Sequence, residues 1–135
     1  MALLTDMTAA QAAALWSGLL LLLLMVLSVR VVLNRRKHKV LLGDGKESQI
    51  TLRSRVFGNA AEYIPVGVGA LALLALLGMP AMAIHAVGGV LLAGRLIHAV
   101  SLSDRKPTRG RVLGMALTYV ALFVAGGMLV VHAFV

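Results

Sequence analysis

The chain contains no cysteine among its 135 residues. Disulfides, thiolate metal sites and cysteine nucleophiles are therefore excluded. Acidic residues are scarce, with five aspartates and glutamates against thirteen lysines and arginines. From Tyr63 to Gly94 there is no aspartate, glutamate, lysine or arginine at all. No second histidine or carboxylate stands at metal-ligand spacing from His98, so no metal site is expected.

Apolar side chains are abundant, making up 60% of the residues and giving a mean hydropathy of +0.94. A soluble domain of this size buries too little surface to keep so many apolar groups out of water. Lipid removes the conflict because it solvates apolar outer faces. The length allows one domain, residues 1–135, with no room for a second.

The net charge of +8 raises the question of nucleic-acid binding. The basic residues lie at the edges of apolar spans, however, which is the ordinary topology signal of a membrane protein. Such residues also attract anionic lipid head groups. We therefore expect the lipid bilayer, and not nucleic acid, as a partner.

Four apolar spans predict an all-α integral membrane four-helix bundle, since long continuous runs exclude a β-barrel pattern. The predicted helices cover residues 9–34, 50–77, 80–102 and 110–132, each long enough to cross a bilayer core. Gly78-Met79-Pro80 divides the uncharged run, because glycine permits a tight turn and proline lacks an amide proton. The first span has no basic residue before its core, so it is expected to be a retained helix and not a signal peptide.

Every basic residue lies at or near the first or the third connection between helices. They are Arg30, Arg35, Arg36, Lys37, Lys39, Lys46, Arg53 and Arg55 at the first, and Arg95, Arg105, Lys106, Arg109 and Arg111 at the third. By the positive-inside rule, both of these connections are predicted to be cytoplasmic and both termini to face the opposite side.

The second helix carries polar residues into the apolar span. Arg55, Asn59 and Glu62 are spaced i, i+4 and i+7 and so share one helical face, with Tyr63 beside it. A carboxylate at the depth of Glu62 is costly unless it faces a protein interior or a wet cavity and finds a partner. Arg55 or an arginine of a neighbouring helix is the candidate partner. The pair could form a functional site or serve only to fix helix packing.

From Arg55 to Pro65 the sequence resembles the MAPEG family, the membrane-associated proteins of eicosanoid and glutathione metabolism. Its second helix carries an R-x-x-x-N-x-x-E-Y-x-P pattern, which this chain matches at every specified position. The resemblance to the family extends beyond this motif. It includes the chain length, the four helices, the basic end of helix one and the Gly94-Arg95-Leu96 segment. The chain looks most like the small bacterial members. The resemblance implies a homotrimer in the bacterial inner membrane, with glutathione bound between neighbouring subunits near the cytoplasmic face.

Carried over position by position, the resemblance implies a set of glutathione-binding residues. They are Arg35, Arg55, Asn59, Glu62, Tyr63 and His98. The arginine that activates the thiol is similar in context to Arg111, with Arg109 as the alternate. Leu102 stands where family enzymes have a tyrosine, so that contact is lost.

The implied function is a glutathione-dependent membrane transferase or peroxidase, with glutathione as cosubstrate and a lipophilic electrophile arriving from the bilayer. Two other interpretations stay open at this point. One is a ligand-binding or structural trimer without catalysis, because a fold does not determine a reaction. The other is a proton-coupled small exporter that uses Glu62 as its carrier carboxylate.

Overall fold

A computed structural model describes residues 6–102 and 108–134. Within these ranges the chain forms four long helices and no strand. They are α1 (Ala9–Lys37), α2 (Ser48–Leu76), α3 (Ala81–Ser101) and α4 (Arg109–His132). All four are long and apolar enough to cross a membrane. The prediction of an all-α, integral membrane four-helix bundle is confirmed, and the protein is a multi-pass membrane protein.

Helix α1 begins with a capping box. The Thr8 hydroxyl accepts a hydrogen bond from the Gln11 amide, and the Gln11 side chain accepts one from the Thr8 amide. The helix continues to Lys37, about one turn beyond the predicted end, so Arg35, Arg36 and Lys37 form its last turn. Cations at this position interact favourably with the negative end of the helix dipole, which explains the added turn.

The hairpin between α2 and α3 is closed by a Schellman motif. Gly78 adopts a φ of 73°, and its amide donates to the carbonyl of Ala75, while the Met79 amide donates to that of Leu74. Pro80 then occupies the N-cap of α3. Pro65 lies inside α2, which remains one helix from Ser48 to Leu76.

Helix α3 is the most buried of the four and lies at the centre of the bundle. It packs closely against α4 because Gly94 and Gly114 face each other; a Cβ added at Gly114 would lie 2.6 Å from the His98 amide nitrogen. On its other side the ring of Trp16 lies over Gly88, and the Trp16 indole donates to His85 Nδ1 at 2.9 Å. The outer faces of α1, α2 and α4 expose many leucines and valines, as expected for surfaces in lipid.

The connection between α1 and α2 is held by Asp44. Its carboxylate accepts hydrogen bonds from the Lys46 amide at 3.1 Å and from the Thr51 hydroxyl at 2.8 Å. These bonds favour the charged form and lower the pKa of Asp44 below its ordinary value. The connection between α3 and α4 falls mainly on residues 103–107, so Arg105 and Lys106 lie outside the described residues.

Candidate functional site

A cavity of about 460 Å³ opens between α2, α3 and α4, at the end of the bundle where α2 begins and α3 ends. Its lining residues are Ser48, Thr51, Leu52, Arg55, Asn59, His98, Leu102 and Arg111. None of these is acidic, whereas two are arginines. The cavity is therefore positively charged and suited to an anionic ligand.

Helix α2 supplies most of this lining from one face. Thr51, Arg55 and Asn59 follow one another at intervals of four residues, and so they form a row along the helix. His98 and Leu102 repeat the same interval near the end of α3. Thr108 ties the start of α4 to this end of α3, since its hydroxyl donates to the Ser101 carbonyl at 3.2 Å and accepts from the Arg111 amide. That cap fixes the first turn of α4, which carries Arg111.

Behind the cavity lies a fully buried arginine. Arg95, only 1% exposed, donates from Nη2 to Asn59 Oδ1 at 2.7 Å and to His98 Nδ1 at 3.2 Å. Its Nη1 is 3.5 Å from the Thr118 hydroxyl oxygen, and its guanidinium lies over the Tyr63 ring, 5.5 Å from the centroid. Among the described residues no carboxylate forms an ion pair with it, and its Nε has no hydrogen-bond partner.

This arginine determines how two cavity residues present their polar atoms. A guanidinium has only donors, so Asn59 must turn its carbonyl oxygen toward Arg95, which leaves its NH₂ group for the cavity. For the same reason His98 accepts at Nδ1, and its neutral ring carries the proton on Nε2. Asn59 and His98, which could each donate or accept, are thereby directed to act as donors. Together with Arg55 and Arg111 they make a lining rich in donors, which favours anions.

The other candidate residues lie elsewhere in the protomer. Arg35 lines a shallow surface depression at the end of α1, and its Nη1 donates to the Leu41 carbonyl at 3.4 Å. Glu62 is exposed, two helical turns beyond Arg55, and makes no ion pair with it. The idea of a direct Arg55–Glu62 pair is therefore wrong, because about 10 Å of helix rise separates their backbones. Tyr63 does not line the cavity; its hydroxyl lies 3.2 Å from that of Tyr119. Arg109 is exposed and does not line the cavity either.

The role of Arg95 as a partner of both Asn59 and His98 did not emerge from the sequence. The signal was present, since an arginine two turns from the end of an apolar helix must find polar partners. Its position one turn from His98 was visible too. The contact of Arg95 with Asn59 on α2 cannot be predicted from sequence spacing, because it depends on how α2 and α3 pack.

Comparison with known proteins assigns the sequence to a family. The sequence profile of the MAPEG family matches residues 13–131, nearly the whole chain. The protein belongs to the MAPEG family. It is similar to the inner membrane protein YecN of Escherichia coli strain K12, with 39% identity over 109 residues, which cover 81% of this chain and 82% of YecN. YecN of E. coli O6:H1 strain CFT073 matches with the same identity and coverage. No solved structure matches the chain significantly.

Membership in MAPEG makes this a membrane protein of a family associated with glutathione and eicosanoid metabolism. The matched region includes all the residues that line the cavity, as well as Arg95 behind it. The cavity therefore lies within the part of the chain that the MAPEG proteins share.

Proposed function

We propose that this MAPEG protein binds glutathione in the cavity between α2, α3 and α4 and activates its thiol for attack on a lipophilic electrophile. The observation that carries the proposal is the cavity lining, in which Arg55, Asn59, His98 and Arg111 meet and no described residue that lines the cavity is acidic. Its volume of about 460 Å³ lies in the range of sites for small organic ligands.

The chemistry of glutathione suits these side chains. The tripeptide has two carboxylates, and an arginine can bind a carboxylate through two parallel hydrogen bonds. Asn59 and His98 add neutral donors, because Arg95 occupies their acceptor atoms. A thiol has a pKa of about 8.5 and is mostly protonated near neutral pH. A guanidinium beside the sulfur stabilises the thiolate and lowers that pKa.

Arg111 is the residue we assign to the thiol. Both Arg109 and Arg111 are exposed in the first turn of α4, but only Arg111 lines the cavity. Leu102 lines the wall of the cavity near it, where family enzymes have a tyrosine. In this protein the thiolate would therefore depend on Arg111 and on the Nε2 proton of His98. The sulfur would then form a bond to the electrophilic carbon or oxygen of the substrate as that atom's leaving group departs.

A complete site requires more than one protomer. We propose a homotrimer in which a neighbouring subunit brings Arg35 or Glu62 to the ligand, consistent with a site between subunits. The exposure of Glu62 supports this assembly, because an unpaired carboxylate in a transmembrane helix is costly in lipid. Covered by a subunit interface, Glu62 would pair with the ammonium group of glutathione.

The electrophile would reach this site from the bilayer. Exposed apolar residues surround the bundle, so a lipophilic substrate dissolved in lipid has direct access to its sides. By analogy with YecN, we place the protein in the inner membrane. By the positive-inside rule, we propose that the basic cavity end faces the cytoplasm, where glutathione is dissolved.

The test is a titration of purified protein with glutathione, followed by the ultraviolet absorbance of the thiolate. Binding should be saturable and accompanied by a thiolate signal, which Arg111→Ala should abolish. Arg109→Ala is the matched control, since it removes an arginine from the same helical turn outside the cavity, and it should retain the signal. Binding without thiolate would indicate a ligand-binding trimer without catalysis.

Glu62→Gln separates the remaining alternative. In a glutathione enzyme this change should weaken glutathione binding. In a proton-coupled exporter it should instead abolish proton release on addition of a lipophilic cation. Failure of the wild-type protein to bind glutathione at all would refute both the transferase and the glutathione-binding trimer.

A further inference from the structure

A second crevice lies at the same end of the bundle, among α1, α2 and α3. It measures about 220 Å³ and is lined by Leu27, Arg30, Gln49, Leu52, Arg53, Val56 and Ala99. Leu52 separates it from the proposed glutathione cavity, which lies on the adjacent face of α2. The crevice contains none of the residues assigned to glutathione, so an inference about it stands independently of that function.

The charged part of the crevice comes from two helices. Arg30 projects from α1 and Arg53 from α2, and Gln49 adds an amide one turn before Arg53. Within residues 6–102 and 108–134 neither arginine forms an ion pair, and no acidic side chain lines the crevice. Two guanidinium groups without a counterion make a site for an anion with several oxygen atoms.

The rest of the lining is apolar. Leu27, Val56 and Ala99 are buried side chains that continue from the arginines toward the membrane interior. Arg30 lies seven residues before the end of α1, about 10 Å along the helix axis. With the basic last turn of α1 among the lipid head groups, the Arg30 guanidinium would lie near the boundary between head groups and hydrocarbon. An occupant that matches both parts carries an anion joined to a hydrocarbon chain.

We propose that this crevice binds the phosphoryl group of an anionic phospholipid, with the start of an acyl chain against Leu27 and Val56. Free inorganic phosphate shares the phosphoryl chemistry, but it would leave the apolar walls without a partner. A lipid held here would contact Leu52 on α2 and Ala99 on α3, next to the row of cavity residues. Bound lipid would therefore hold α1 against α2 and α3 at this end of the bundle.

The experiment measures lipid binding to detergent-purified protein by native mass spectrometry. The probes are phosphatidylglycerol, phosphatidylcholine and inorganic phosphate. We expect phosphatidylglycerol to bind more tightly than either of the other two. The double change Arg30→Gln and Arg53→Gln should weaken phosphatidylglycerol binding about tenfold or more, because each arginine near the surface contributes to anionic lipid affinity.

The matched control is Lys37→Gln with Lys39→Gln, which removes the same charge from exposed positions outside the crevice. It should leave phosphatidylglycerol binding within about twofold of wild type, since a fixed site depends on position and not on total charge. An equal loss in both double variants would overturn the proposal in favour of diffuse attraction. Equal affinity for inorganic phosphate would overturn the lipid assignment in favour of a free-anion site.

A second pair of changes covers the case in which the glutamine variant does not fold. Arg30→Lys with Arg53→Lys keeps both charges but loses the two-pronged donor geometry, so lipid affinity should fall while the helix content by circular dichroism is retained. Unchanged affinity in this variant would also count against a built site. Glutathione binding, measured in parallel, should be unaffected in the lysine variant. A failure of the glutathione proposal is thus distinguishable from a failure of this one.

Discussion

Arg95 offers the sharpest test of the proposed glutathione cavity. We predict that Arg95→Lys preserves the fold and the buried charge but weakens glutathione binding. The lysine ammonium is a compact charge without the planar, forked donors of a guanidinium. It therefore cannot donate to both Asn59 Oδ1 and His98 Nδ1, which lie 2.7 Å and 3.2 Å from Arg95 Nη2. Whichever of Asn59 and His98 loses its bond to residue 95 can then turn an acceptor atom toward the ligand.

The magnitude follows from the bonds at stake. A hydrogen bond to a charged group contributes about 1.5–3 kcal/mol, and one misdirected donor forfeits a contact of this kind with a carboxylate or thiolate. The dissociation constant for glutathione should therefore rise by about 10- to 150-fold. Arg53→Lys is the matched control, because it makes the same exchange on α2 outside the cavity, and it should leave glutathione affinity unchanged.

Two measurements together decide the outcome. Calorimetric titration gives the affinity, and nitrogen NMR of histidine-labelled protein reports which ring nitrogen of His98 carries the proton. In the wild type the proton should lie on Nε2, whereas Arg95→Lys should show a mixture of tautomers or the other form. Wild-type affinity in Arg95→Lys, or a His98 proton on Nδ1 in the wild type, would refute the reasoning.

Three further changes test the fold around the site. Gly114→Ala should lower the free energy of unfolding by about 1–3 kcal/mol, because the added methyl group would clash with α3. Gly126→Ala is the control, since Gly126 lies on the same helix with open space around it. Equal losses of stability in the two variants would contradict the close α3–α4 contact. Trp16→Phe removes the hydrogen bond to His85 and should cost about 1–3 kcal/mol in chemical unfolding; an unchanged midpoint would mean that this bond contributes nothing. Asp44 has a lowered pKa, so its contribution to stability is complete above its ordinary value of 3.8 and is lost as the pH falls below that value. Thermal unfolding of Asp44→Asn should lack that part of the acid dependence, and a variant with the full wild-type profile would count against it.

Much of the fold could be predicted from the sequence because membrane insertion depends on local properties. A run of apolar residues long enough to cross the bilayer must be helical, since lipid cannot hydrogen-bond the backbone. Gly78-Met79-Pro80 marks a break for the same local reason, and the structure places a Schellman turn there. Helix spacing likewise grouped Arg55 and Asn59 on one face of α2, and both line the cavity.

The contacts that each side chain makes in the folded protein could not be predicted in this way. Spacing grouped Glu62 with Arg55, yet the two form no pair and Glu62 is exposed. The spacing also did not show which of Arg109 and Arg111 lines the cavity, and in the structure it is Arg111. A difference of two residues turns a helix position by about 200°, so only the tertiary packing shows which side chain faces the cavity.

The sequence by itself determined that this protein spans a membrane as four helices, that its charge collects at two connections, and that it resembles the MAPEG family. Those properties depend on composition and on order along the chain. Only the tertiary structure showed that Arg95 lies behind the cavity and directs Asn59 and His98. That arrangement joins α2 to α3 across 36 residues of sequence. It exists because α3 is buried at the centre of the bundle, where a guanidinium must find its partners on the helices packed around it.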